Sequence, residues 1–345
     1  MSKKGILWIT VGLAGLLGCG APPEVSTPEV ALPEAATPTV EPEFFLGTEN
    51  THSRFSSLIP PVLRVPSGAV VEVHTKEATD GQLTPRSSAD DVVNLDFDPI
   101  HPLSGPIYVE GAQPGDVLEV VLHTIEVGDW GWTAVTPGFG FLADEFRDPY
   151  LKTFRFEKGA THADFGNGIS VPLHPFPGVM GVAPATEELL TTIPPRANGG
   201  NMDNRFMTAG TTVYFPVFVE GALFSIGDTH AAQGSGEVCG TAIEAPMRIV
   251  LSLRVLEGVR RIPEPQYETD EYYAVTAFAE TLDEAARKAT RYMIDYLEAE
   301  RGLQRVEAYA LASIAADLEI SEVVDVPHVL VSMHIPKSIF PGTAK

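Results

Sequence analysis

Residues 106–127, PIYVEGAQPGDVLEVVLHTIEV, restrict this chain more than any other stretch. Apolar and polar side chains alternate along it on both sides of Gln113-Pro114-Gly115-Asp116, a sequence that reverses the chain. Alternation at period two sets one face of a strand against a core; wound as a helix, the same residues would scatter their apolar groups around the circumference. The pattern recurs at 62–75 (VLRVPSGAVVEVHT, with Pro66-Ser67-Gly68 as the turn), at 211–219 (TTVYFPVFV) and at 246–256 (PMRIVLSLRVL). No long amphipathic helix precedes about residue 280, and 31 glycines and 29 prolines supply turns throughout. The expected fold is mainly β, with a sandwich or barrel body whose long loops carry function.

The pattern changes near the C-terminus. Residues 281–302, TLDEAARKATRYMIDYLEAERG, form a helix: Thr281 and Glu284 make a capping box, Gly302 closes the end, and Ala285, Ala289, Met293 and Leu297 recur at helical spacing. Residues 304–318 read as a second helix and 323–333 as a strand. The chain therefore divides into a β-rich body over 44–258 and a small C-terminal α+β section over 259–345. No catalytic constellation stands out in that section, and His328 and His334 read as structural.

At the other end, MSKKGILWITVGLAGLLGC is built like an export signal, with Lys3 and Lys4 before an apolar run too short to span a membrane comfortably. Its end, Leu16-Leu17-Gly18-Cys19, resembles a bacterial lipoprotein signal, which implies cleavage before Cys19 and lipid on that cysteine. Residues 20–43, rich in Pro, Glu, Ala and Thr and free of basic residues, make a tether that cannot bury enough apolar surface to fold. The expectation is an exported protein attached to the cell envelope through lipid alone, at the outer membrane where there are two, since no aspartate follows Cys19. With Cys19 lipidated, Cys239 has no disulfide partner and is expected to be buried. The 46 acidic against 23 basic residues, a net charge of −23, argue against nucleic-acid binding and against a polybasic membrane site.

The run 194–246 carries the chemistry. Asn201, Asp203, Asp228, His230, Glu237 and Cys239 lie there among glycines and alanines, which let backbone approach a ligand while polar groups converge on it. The segments PPRANGGNMD, TTVYFPVFVEGALFSIGDTHAAQGSGEVCGTAIE, HPLSGPIYVEGAQPGDVLEV and FPGVMGVAP, in this order-bearing set, resemble the acetamidase/formamidase family of metal-associated amide hydrolases, from about Glu72 to about Glu257. The resemblance implies that family's β-sandwich or barrel fold, hydrolysis of a short linear amide to carboxylate and ammonia, and a small amide as partner, with a homo-oligomer as a further expectation. No G-x-S-x-G elbow, P-loop, dinucleotide fingerprint or H-E-x-x-H helix competes with it.

On this reading Asp203, Asp228 and His230 bind a divalent metal ion, zinc by ligand type, with calcium as a second ion. Glu237 serves as general base and Asn201 donates a hydrogen bond to the substrate carbonyl. Asp228 and His230, two apart, suit one face of a strand. Asp80 and His101 are further candidates, with turn chemistry and core hydrogen bonding as their structural alternatives. Cys239 as a nucleophile beside Glu237 is a second mechanism. The pattern departs from the family at Ser235, where an acid is common. A different class of reading is a lipid-anchored small-molecule or metal-binding protein, derived from an amidase and without turnover.

Overall fold

The structure, a computed structural model, describes residues 40–342. The expected signal with its Cys19 and residues 20–39 of the tether lie outside the described residues.

Two sheets form the body. Among the described residues the larger has nine strands; third in its order, Met247–Leu256 lies between Ala69–His74 and Val117–Val127, antiparallel to both. The alternation read from the sequence sets this register: Ile249 lies opposite Val73 and Ile125, and Leu251 opposite Val71 and Leu122. The inward residues of each strand thereby meet in one layer. The second sheet has Phe224–His230 between Phe176–Gly181 and Leu103–Val109. Val71, Val120, Phe215 and Leu253 of the first sheet share a continuous core with Ile107, Met180, Phe224 and Ile226 of the second. This is a sandwich, one of the two body types expected.

Phe176–Gly181 and Phe224–His230 are buried at every position. Strands covered on both faces lose the polar alternation, so residues 176–181 carry no period-two signal.

The C-terminal strands continue the nine-stranded sheet: Gln266–Glu268, Tyr272–Ala279, Val329–Pro336 and finally Asp317–Glu322 at its edge. The helix Leu282–Arg301 covers them, burying Ala285, Ala289, Met293 and Leu297 against Val275, Val331 and Met333. Gly302 closes the end as expected, left-handed at φ 67°, and the Thr281 side chain accepts from the Glu284 N–H, the N-cap half of the expected capping box, while its hydroxyl donates to Glu284 Oε2. The second helix is shorter than the sequence suggested. It ends at Ala315, and residues 317–322 form a strand whose outward Leu318 and Ile320 resemble a continued apolar helix stripe. Residues 323–328, expected to open the last strand, form a connection instead.

His328 and His334 hold structure: His328 Nδ1 lies 2.8 Å from the Pro195 carbonyl, and His334 packs between Phe206 and Tyr272.

Candidate active site

Three segments meet at the end of Phe224–His230. The first is that strand, which carries Asp228 and His230. In the neighbouring strand the register pairs Pro177 with Thr229 and Val179 with Gly227, so Gly178 stands opposite Asp228. The Gly178 carbonyl accepts hydrogen bonds from the Met202 and Asp203 N–H groups, at 3.0 and 3.2 Å, and so brings the second segment in. The turn at residues 234–240 is the third and carries Glu237.

Asp203, Asp228 and Glu237 have left-handed backbones, at φ 39°, 48° and 46°. Side-chain-bearing residues adopt this region sparingly, and such strain concentrates at functional sites. Asp228 and His230 share a strand as expected, but the kink at Asp228 departs from a plain period-two pair.

The groups converge closely. His230 Nε2 lies 3.1 Å from Glu244 Oε2 and 3.5 Å from Asp228 Oδ2, and Nδ1 lies 3.6 Å from Asp203 Oδ1. His101 Nε2 is 3.7 Å from Asp228 Oδ2. Three overlapping sets each bring their donor atoms within 4.8 Å of one another: Asp203, Asp228 and His230; His230, Glu237 and Glu244; and Asp203, Glu237 and Asp325.

The electrostatics are one-sided. Asp203, Asp228, Glu237, Glu244 and Asp325 are all buried, and His101 and His230 are the facing imidazoles. Burial raises the Asp203 carboxyl above its usual range, and the charge of Asp228 adds to this against the pull of His230. Burial, then the charge of Asp203, holds Glu237 well above its range. Burial pushes Glu244 to about 7. At Asp228 burial is outweighed by His101 and His230, and its carboxyl sits below the ordinary range. His230 is raised well above the usual histidine value because Glu244 and Asp228 outweigh its burial.

Both Asp203 carboxylate oxygens, Glu244 Oε2, Asn201 Oδ1 and His101 Nδ1 are buried without a hydrogen-bond partner. Buried polar atoms are seldom left so, and carboxylates least of all. The imbalance of charge and the orphaned oxygens fit a cation held among them.

These groups form one wall of a cavity of about 50 Å³. The rest of the lining is mainly apolar, with Ala78, Leu95, Phe97, Ile100, Trp132 and Phe139 beside three threonines, Thr79, Thr136 and Thr241. Trp132 is buried and also lines the cavity. Its indole N–H donates to the buried Glu77, which also accepts from the Thr79 hydroxyl and N–H.

Several sequence expectations change here. Asp80 is not at the site; it pairs with Lys76 at 2.6 Å on the surface, in the left-handed turn its Asp-Gly sequence favours. His101 is at the site. The Asn201 amide nitrogen donates to Asp325 Oδ2 at 2.8 Å, so its carbonyl oxygen is the unpartnered atom. Cys239 is half-buried rather than buried; its sulfur lies 3.4 Å from the Thr241 carbonyl and it does not line the cavity, which disfavours a thiol nucleophile. Ser235 is turned to Glu319, at 2.6 Å, and does not line the cavity either.

Two carboxylates escaped the sequence reading. Glu244 lies in Ala-Ile-Glu-Ala-Pro, and Asp325 in Val-Val-Asp-Val-Pro. Each is a lone acid inside an apolar run, a signal that such a group is buried and therefore has a reason to be there. Asp325 also shows that the C-terminal section does reach the site.

Comparison with known proteins gives a consistent picture. The model of the Acetamidase/Formamidase family matches residues 43–191 and 185–342. An acetamidase of Mycolicibacterium smegmatis is 31% identical over 271 residues, covering 60% of this chain and 66% of that one. A formamidase of Methylophilus methylotrophus is 29% identical, covering 84% of this chain and 89% of that one. The crystal structure of an acetamidase from Bacillus halodurans superposes with a TM-score of 0.81 at 34% identity, covering 87% of this chain and all of that one.

Proposed function

Since the chain belongs to the acetamidase/formamidase family, and is an amidohydrolase on that ground, we propose that it cleaves a short linear carboxamide to carboxylate and ammonia, with a divalent ion held by Asp203, Asp228 and His230. The observation that carries this reading is the mixed lining of the cavity, which joins orphaned buried carboxylates to apolar side chains. At roughly 10–15 Å³ for each water-sized position, 50 Å³ is room for a handful of heavy atoms, the size of acetamide or formamide.

The donor set of two carboxylates and an imidazole suits zinc. When bound, such an ion supplies Lewis acidity, polarising a carbonyl and making water a better nucleophile at neutral pH. The all-oxygen set of Asp203, Glu237 and Asp325 is of the kind calcium takes, but three oxygens are fewer than the six to eight that calcium prefers.

The chain's own residues supply the rest. In its ionised form Glu237, whose raised carboxyl makes it the stronger base, takes the proton of the attacking water and returns it to the amide nitrogen, which leaves as ammonia; an unprotonated amide ion is too poor a leaving group. The Asn201 carbonyl oxygen accepts an N–H of the substrate amide, a role that differs from the donor expected from sequence. Phe139 and Trp132 enclose the acyl group and exclude water.

Ammonia release by the purified protein tests this. Formamide and acetamide are expected to be cleaved faster than butyramide, with release lost on chelation and restored by zinc. Release that survives thorough chelation removes the metal from the reading, and binding of metal without release from any short amide favours the capture protein.

Export and lipid attachment belong to the same proposal and rest on residues 1–43 of the sequence. Among the described residues no helix is long and apolar enough to cross a membrane. Cells fed a labelled fatty acid are expected to label the full chain and not its Cys19→Ala variant; equal labelling of both excludes Cys19 as the lipid site.

A further inference from the structure

We infer that Gln233 is a positioning residue that fixes the proton of His230 on Nδ1 and thereby makes Nε2 the nitrogen offered to a cation. The cation part rests on the function proposed above; the position of the proton does not.

The inference follows from what each end of a carboxamide can do. Its nitrogen only donates hydrogen bonds and its oxygen only accepts. Gln233 Nε2 lies 2.8 Å from the Asp203 backbone carbonyl and 3.5 Å from that of Ser321. Both are acceptors, so the amide sits with its nitrogen there; turned over, it would set oxygen against oxygen. Its neighbours thus decide an orientation that shape alone leaves open. Gln233 Oε1 is then the atom 2.8 Å from His230 Nδ1. An acceptor at that distance requires an N–H on Nδ1.

In the neutral ring a proton on Nδ1 leaves a lone pair on Nε2. That atom faces Glu244 Oε2 at 3.1 Å and Asp228 Oδ2 at 3.5 Å, and Glu244 Oε2 has no hydrogen-bond partner. With one proton held on Nδ1, the positive charge that Glu244 Oε2 and Asp228 Oδ2 call for comes on the Nε2 side, from a second proton in the metal-free protein or from a metal cation in its place. The same residue links three parts of the chain: the end of the strand Phe224–His230, the left-handed backbone at Asp203, and the edge strand Asp317–Glu322 that holds Ser321. Outer partners of this kind orient a ligating histidine, and losing one typically weakens metal affinity 10–100-fold.

The test compares the whole protein with Gln233→Met, which keeps volume and removes the acceptor, and Gln233→Glu, which keeps an acceptor for Nδ1. In metal-free protein labelled with ¹⁵N in its histidines, a slowly exchanging Nδ1–H of His230 is expected in the wild type, retained in Gln233→Glu and lost in Gln233→Met. Zinc affinity, from competition with a chromophoric chelator, is expected to fall about 10–100-fold in Gln233→Met and to be partly recovered in Gln233→Glu. Retention of the Nδ1–H and of zinc affinity in Gln233→Met overturns the inference. Equal loss in both variants makes Gln233 a packing residue and overturns it too. A wild type that shows the protected Nδ1–H but takes up no zinc overturns the cation part and leaves the proton assignment standing.

Discussion

Glu237→Gln is expected to lower kcat/KM for acetamide by about 10²–10⁴-fold, the usual range for removing a general acid–base group, with the fall in kcat rather than KM. Glutamine matches glutamate in shape, so the turn that carries it keeps its Gly240 N–H to Glu237 carbonyl bond at 2.8 Å. What is lost is the capacity to take up a proton. Stability is expected to hold or rise, because Glu237 is one of five carboxyl groups crowded in this buried space, and a neutral amide there relieves repulsion from Asp203. A merely structural glutamate would show the opposite, a lower melting temperature with activity largely intact. Steady-state ammonia release and a thermal melt separate the two. Activity within threefold of wild type would move the base elsewhere, and Glu244, held at about 7 beside His230, would be the group to change next.

The parts of this molecule that were legible in its sequence are those whose pattern has a single cause. Strands buried on one face, such as Ala69–His74, alternate because water lies on the other side, and their register follows. The helix Leu282–Arg301 carries its own end signals at Thr281 and Gly302. Asp203, Asp228, His230 and Glu237 stood out because ionisable groups among glycines are costly unless they are used, and the structure brings all four together. What the sequence concealed involved distance along the chain. Asp325 reaches Asn201 across 124 residues, and no local pattern records that pairing. Asp80 misled for the converse reason: an acid beside a glycine serves a turn as well as it serves a ligand, and only its pairing with Lys76 decides between them. The boundary at Ala315 was missed because Leu318 and Ile320 are outward residues of an edge strand, and exposed apolar groups imitate a buried stripe.

Gly178→Ala adds one methyl group and is expected to abolish tight metal binding while costing about 1–3 kcal/mol of stability, as overpacking of a filled core does. Its backbone is not left-handed, so the need for glycine is steric. A Cβ there would lie 2.4 Å from Asp203 Oδ1, 2.7 Å from His230 Cε1 and 2.8 Å from the Asp228 carbonyl oxygen. None of these can yield cheaply. The Asp203 and His230 side chains are each 1% exposed, and the Asp228 carbonyl belongs to a strand paired on both sides. Any adjustment therefore moves ligands of the proposed ion. Gly181, in the same strand, provides the control. A Cβ at that position would meet the Asn198 carbonyl oxygen and the Gly200 nitrogen at 2.9 Å, backbone atoms of residues that do not line the cavity. Gly181→Ala is thus expected to destabilise to a similar degree yet, where it folds, to retain zinc affinity near that of the wild type. Calorimetric zinc titration of both variants below their melting temperatures reads the difference. Equal affinities would mean that the strands around Phe224–His230 part easily, and the close fit of Gly178 against Asp203 and His230 would then not be what holds those two ligands in place.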